Sequence, residues 1–85
     1  MKLSDPSLKA LEILEVLSEA GRDGLGVSAI TEITGISKST AHRLVNALAN
    51  EGYVIRNAAS KKYKLGYRIL KLSSSLMDNN IEIKE

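Results

Sequence analysis

The chain has 85 residues, of which 44% are hydrophobic and 26% charged, with three tyrosines, no other aromatic residue and no cysteine. That length limits it to one domain, the composition fits a folded chain rather than a disordered one, and the lack of cysteine excludes disulfides and thiolate metal sites. The formal net charge is only +2, and no stretch approaches the ~18 apolar residues of a membrane span or carries a signal-peptide run, so a cytoplasmic protein is expected.

Asp5-Pro6 reads as a helix start, with Asp at the cap and Pro at the first helical position. Leu8, Leu11, Leu14 and Leu17 recur at threes, widened by Ile13, Val16 and Ala20, which predicts an amphipathic helix over about 6–20. Glu12, Glu15 and Glu19 read as its solvated face. Gly21 ends it, and "GRDGLG" is a turn-rich loop. Leu25-Gly26-Val27 is short and extended, a candidate single-bridge strand. Ser28 is the expected cap of a second helix over 28–34, with Ala29, Ile30 and Ile33 facing inward. Gly35 stops it where a left-handed backbone is easiest for glycine.

Ser37 caps a third helix that runs to about Glu51 and stops at Gly52. Ala41, Leu44, Val45 and Leu48 fall at i, i+3, i+4 and i+7, a buried stripe. The period then changes. "YVIRN" (53–57) and "KYKL" (62–65) read as two strands around an "AASK" turn, with Tyr53, Ile55, Tyr63 and Leu65 expected on one face. After Gly66, Tyr67, Ile69, Leu70, Leu72, Leu76 and Met77 give a fourth helix. The predicted fold is mainly α with a small β-hairpin: helix, short strand, helix, turn, helix, two-stranded wing, helix. Two short helices joined by a glycine turn make a helix-turn-helix, and the trailing hairpin makes it winged.

The charge is unevenly spread along these elements. Residues 36–76 carry eight Lys/Arg against Glu51 alone, whereas residues 1–35 carry three Lys/Arg against six Asp/Glu. A basic block inside a near-neutral chain suits a polyanion-facing surface. In a helix-turn-helix the second helix presents its N-terminal end to the DNA major groove. Short polar residues there let the backbone approach, and Ser37, Lys38, Ser39 and Thr40 meet that need. His42, Arg43 and Asn46 project from the same side or its flank. Arg43 suits guanine and Asn46 suits adenine. The wing cations Arg56, Lys61, Lys62 and Lys64 suit phosphate or minor-groove contact.

Other chemistries fit less well. His42 is the only histidine, with no Cys or second His to share a metal and no orienting triad beside Ser39. No catalytic residue, metal site or cofactor is therefore expected. Single-stranded RNA would call for aromatic platforms, and at least one of Tyr53, Tyr63 and Tyr67 is expected in the core. The rival reading is a winged helix used for protein–protein contact or dimerisation, against which the polar first turn and basic wing argue.

"KALEILEVL", "ITGISKSTAHRLVNALANEGYV" and "KYKLGYRILKL" together resemble the N-terminal DNA-binding domain of the IclR family of transcriptional regulators. The resemblance covers about residues 8–77. "KSTAHRL" after a glycine turn, followed by "GYV" and "YKLG", carries it. It implies sequence-specific double-stranded operator binding as a homodimer, with the first and fourth helices as the expected dimer contact. The recognition helix would be Ser37–Asn50 and the wing about Tyr53–Leu65. It also implies a small-molecule effector bound in a separate C-terminal domain, with residues 1–77 forming the DNA-binding unit and 78–85 the start of the linker to it. The family often has Pro and Gly where this chain has Tyr67 and Ser73.

Overall fold

A computed structural model describes residues 5–78. Four helices and one hairpin follow in the order α1 (Pro6–Ser18), α2 (Val27–Thr34), α3 (Lys38–Asn50), β1 (Val54–Arg56), β2 (Tyr63–Leu65) and α4 (Tyr67–Asp78). Apart from Asp78, the linker expected over 78–85 lies outside the described residues.

Asp5 caps α1 as its sequence suggests. Its carboxylate accepts the Ser7 backbone N–H at 2.7 Å, with Pro6 at the first helical position. That backbone bond, then the Ser7 side chain, hold the Asp5 carboxyl below its ordinary value. The helix ends slightly before Gly21, as the Glu19 and Ala20 N–H groups fold back onto the Val16 and Leu17 carbonyls.

The buried side of α1 is Ile13, Val16 and Leu17, so of the four leucines spaced by three only Leu17 is fully on it. A step of three residues drifts about 60° around a helix of about 3.6 residues per turn. Leu8 to Leu17 therefore sweeps half the circumference, and Leu11 ends up 53% exposed.

Two expectations for α2 are corrected. The cap position is Gly26, which makes no side-chain capping bond, and Ser28 sits inside the first turn. Ile30 is fully buried, but Ile33 is 59% exposed. An eight-residue helix has only about two turns, so one inward row satisfies its packing.

The core joins Ile13 and Leu17 of α1, Ile30 of α2, Ala41 and Val45 of α3, and Val54 and Tyr63 of the hairpin. Leu44 and Leu48 are partly buried at its edge.

The hairpin is antiparallel, pairing Val54 with Leu65, Ile55 with Lys64 and Arg56 with Tyr63. The expected shared face holds for Tyr63 and Leu65 and slips by one residue on the first strand. Val54 points into the core, while Ile55 is 48% exposed. The cause is the corner after α3. The Tyr53 N–H bonds to the Leu48 carbonyl at 2.9 Å, so Tyr53 still belongs to the turn and pairing starts one residue later.

Leu25 forms the single bridge, exchanging N–H···O bonds with Tyr63 at 2.9 and 2.7 Å. This stitches the loop after α1 to the outer edge of β2.

Helix α4 has no buried residue. Its first turn is held by backbone contacts to the α3–β1 corner: Gly66 N–H to the Tyr53 carbonyl at 2.8 Å, and Arg68 N–H to the Gly52 carbonyl at 3.2 Å. A Cβ at residue 66 would collide with the Gly52 carbonyl oxygen, which is why glycine stands there.

Candidate nucleic-acid interface

The turn between α2 and α3 is built from local bonds. Gly35 adopts φ 78° and donates to the Thr31 carbonyl at 2.8 Å. The Thr34 hydroxyl donates to the Ile30 carbonyl and accepts the Ile36 N–H, at 2.7 and 3.1 Å. Ile36 is thereby buried beneath the turn. Ser37 then accepts the Thr40 N–H on its side-chain oxygen at 3.3 Å. Capping engages an oxygen lone pair of Ser37 and leaves its hydroxyl proton free.

With Ala41 and Val45 buried, the opposite side of α3 faces water. Lys38, Ser39, His42, Arg43 and Asn46 are exposed, and Thr40 is half-buried. Ser39, His42, Arg43 and Asn46 fall within about 100° of arc. The Asn46 amide oxygen also lies 3.5 Å from the buried Tyr63 hydroxyl, a long hydrogen bond between α3 and the wing. That bond uses one of the oxygen's two lone pairs and involves neither amide hydrogen.

The wing tip is closed by Asn57. Its N–H donates to the Lys62 carbonyl at 2.8 Å, and its carbonyl accepts the Lys61 N–H at 2.7 Å. Its side-chain oxygen accepts the Ala59 and Ser60 N–H groups at 2.9 and 3.0 Å. Lys61 is pinned there at φ 64°, among the described residues the one non-glycine in the left-handed region. Such a conformation costs a lysine about 1–2 kcal/mol.

The first turn of α3 and the wing tip face each other across an open cleft of about 340 Å³. Lys38 and His42 of α3, Arg56, Ser60, Lys61 and Lys62 of the wing, and Ser28 of α2 line it. No carboxylate lines it. Five of the residues singled out from the sequence thus meet in one basic cleft. Ser39 and Arg43 lie on the outward face beside it, and Lys64 points to the other face of the hairpin. Sequence reasoning missed Ser28 as a cleft residue because it assigned that hydroxyl to helix capping. Among the described residues, no three His, Cys, Asp or Glu side chains cluster as a metal site would require.

Residues 8–58 match the IclR helix-turn-helix domain family. The chain is 36% identical over 70 residues to the glycerol operon regulatory protein of Streptomyces coelicolor, covering 82% of this chain and 27% of that protein. It is likewise 36% identical over 62 residues to the transcriptional regulator XynR of Escherichia coli, covering 73% of this chain and 24% of that one. Among solved structures, an IclR family transcriptional regulator from Brucella abortus superposes with a TM-score of 0.77 at 31% identity, over 87% of this chain and 28% of that one. The chain therefore spans from 24% to 28% of the length of these relatives.

Proposed function

The chain belongs to the IclR family of helix-turn-helix transcriptional regulators, and from that premise we propose how its side chains divide the work of reading an operator. The outward face of α3 enters the major groove. Arg43 pairs with guanine, and the free amide nitrogen of Asn46 faces an acceptor on a base edge. A good bidentate pair is worth ~1–3 kcal/mol of discrimination. Ser37, Ser39, Thr40 and His42 let the helix approach and contact flanking groups. Lys38, Arg56, Lys61 and Lys62 hold phosphates and set register without reading sequence. The observation that carries this reading is the basic cleft without a carboxylate, shared by the first turn of α3 and the wing tip.

The operator is read by a homodimer formed through α1 and α4. Leu11 on α1 and Leu70, Leu72 and Met77 on α4 are all exposed, a supply of apolar surface that a single copy leaves wet. Two copies would place two α3 helices in successive major grooves, about 34–36 Å apart. A small-molecule effector acts through a separate C-terminal domain, with residues 1–77 as the reading unit and 78–85 starting the linker. The support is the chain's coverage of only 27% of the glycerol operon regulatory protein. The protein works in the cytoplasm without catalytic activity. Among the described residues no helix is long and apolar enough to cross a membrane.

The exposed apolar surface of α4 favours one second reading, a winged helix that docks another protein. Fluorescence anisotropy across a salt series decides between the two. The parent chain should bind the pseudo-palindromic duplex upstream of its own gene more tightly than a random duplex, with a steep salt dependence. Lys38→Glu with Arg43→Glu should abolish that binding while leaving the helical circular dichroism unchanged. Binding retained by the double variant would move the interface elsewhere. Absence of binding by the parent at low salt would favour protein docking.

A further inference from the structure

Arg22 stands in the acidic first third of the sequence and has no evident partner there. The fold moves it. The Leu25–Tyr63 bridge draws the loop after α1 against the outer edge of β2. Arg22 then lines a second cleft, of about 230 Å³, together with Asp23, Asn57, Ser60, Lys62 and Lys64. Three cations and one carboxylate face that space, leaving it basic.

The two clefts share Ser60 and Lys62. The wing tip is therefore a ridge with a basic trough on each flank. Adjacent strand residues point to opposite faces. Accordingly, Tyr63 lines the trough beside α3, and Lys64 lines the trough beside Arg22. A ridge flanked by cations on both sides matches a minor groove, about 6 Å wide, with a phosphate backbone along each wall.

We propose that Arg22, with Lys64, forms a second phosphate-binding site on the outer flank of the wing, gripping the backbone opposite the one held by Lys38, Arg56 and Lys61. The site rests on the operator-binding reading above and extends it. The wing straddles the groove and the loop after α1 closes on its far wall. Arg22 contributes affinity and register and reads no base. Asp23 lines the same cleft and opposes phosphate binding there on every sequence alike.

The test is anisotropy of the full chain with the upstream duplex from 50 to 200 mM salt. Each phosphate contact contributes a slope of about −0.9 in log K against log salt, or about 3.5-fold over that range. Arg22→Ala and Lys64→Ala should each flatten the slope by about one contact and weaken upstream and random duplexes alike. Asp23→Asn should tighten binding to both duplexes alike. Shortening the duplex at the end beneath the wing should erase the difference between Arg22→Ala and the parent. Arg22 is exposed, and unchanged circular dichroism would confirm that the variants fold.

An unchanged slope and affinity for Arg22→Ala would overturn the second site. If Lys38→Glu with Arg43→Glu still abolished binding, operator reading would survive that loss. No salt-dependent binding by the parent would overturn both.

Discussion

The guanidinium of Arg68 sits over the ring of Tyr53, 5.1 Å from its centroid, and donates to the Tyr53 hydroxyl at 3.4 Å. Tyr53 follows α3, and Arg68 is in the first turn of α4, so the pair locks the start of α4 to the end of the recognition helix. A cation–π contact is worth about 0.5–1 kcal/mol when exposed and more when desolvated, and this pair is half-buried. Arg68→Ala should lose about that much in urea unfolding and speed amide exchange in the first turn of α4. Unaltered exchange there would mean the backbone bonds to Gly52 and Tyr53 hold the junction alone.

Lys61 offers a test in which fold and binding move in opposite directions. Its left-handed backbone is strained, and glycine adopts it freely. Lys61→Gly should therefore raise stability, by about 0.5–1 kcal/mol after glycine's greater unfolded-state entropy is counted. The same change removes a cation from the cleft and should weaken duplex binding with a flatter salt slope. Thermal melts and anisotropy on one sample check both signs. Stability and affinity falling together would mean the lysine side chain supports the wing.

Ile30 and Ile33 separate core from surface on one short helix. Ile30→Ala should cost about 2–5 kcal/mol as a buried cavity, because Ile30 is fully enclosed. Ile33→Ala should stay within about 0.5 kcal/mol. Chemical denaturation of the two variants side by side reads the contrast, and a large loss at Ile33 would mean that this face is covered in solution.

The cap of α1 gives a pH dependence. The Asp5 carboxyl is held below its ordinary value of 3.8 by the Ser7 N–H. A lowered folded-state value means stability that is present above the unfolded value and is lost as pH falls through the folded one. Asp5→Ala should thus lower the melting temperature at neutral pH, and the gap to the parent should narrow below about pH 4. A constant gap down to pH 2 would assign the cap's worth to the neutral form.

Much of this was legible in the sequence because period and punctuation agreed. Ala41 and Val45 show helical spacing with polar residues opposite, and Gly35 and Ser37 mark the turn before them; all four stand where expected. Ile55 and Ile33 were placed wrongly because both lie in very short elements. The pattern of a three-residue strand fits two registers, and backbone bonds at the preceding corner choose between them; a helix of about two turns needs only one inward row, which leaves Ile33 outside. Ser28 followed the same way once Gly26 took the cap. The cleft residues were legible by type and charge, since the wing and α3 are close in sequence. Arg22 was not, because its neighbours depend on one bridge spanning residues 25 to 63. The second site extends the interface beyond the basic block that composition alone marks out.

Residue 66 has a mechanical meaning. Because the backbone there presses against Gly52, α4 pivots at a point fixed to the end of α3. Twelve residues of helix make an arm about 18 Å long. A tilt of about 10° at that fulcrum swings its far end through about 3 Å. The close approach of residue 66 to Gly52 thus fixes where α4 leaves the body, and the length of the helix sets how far its far end travels for a given tilt.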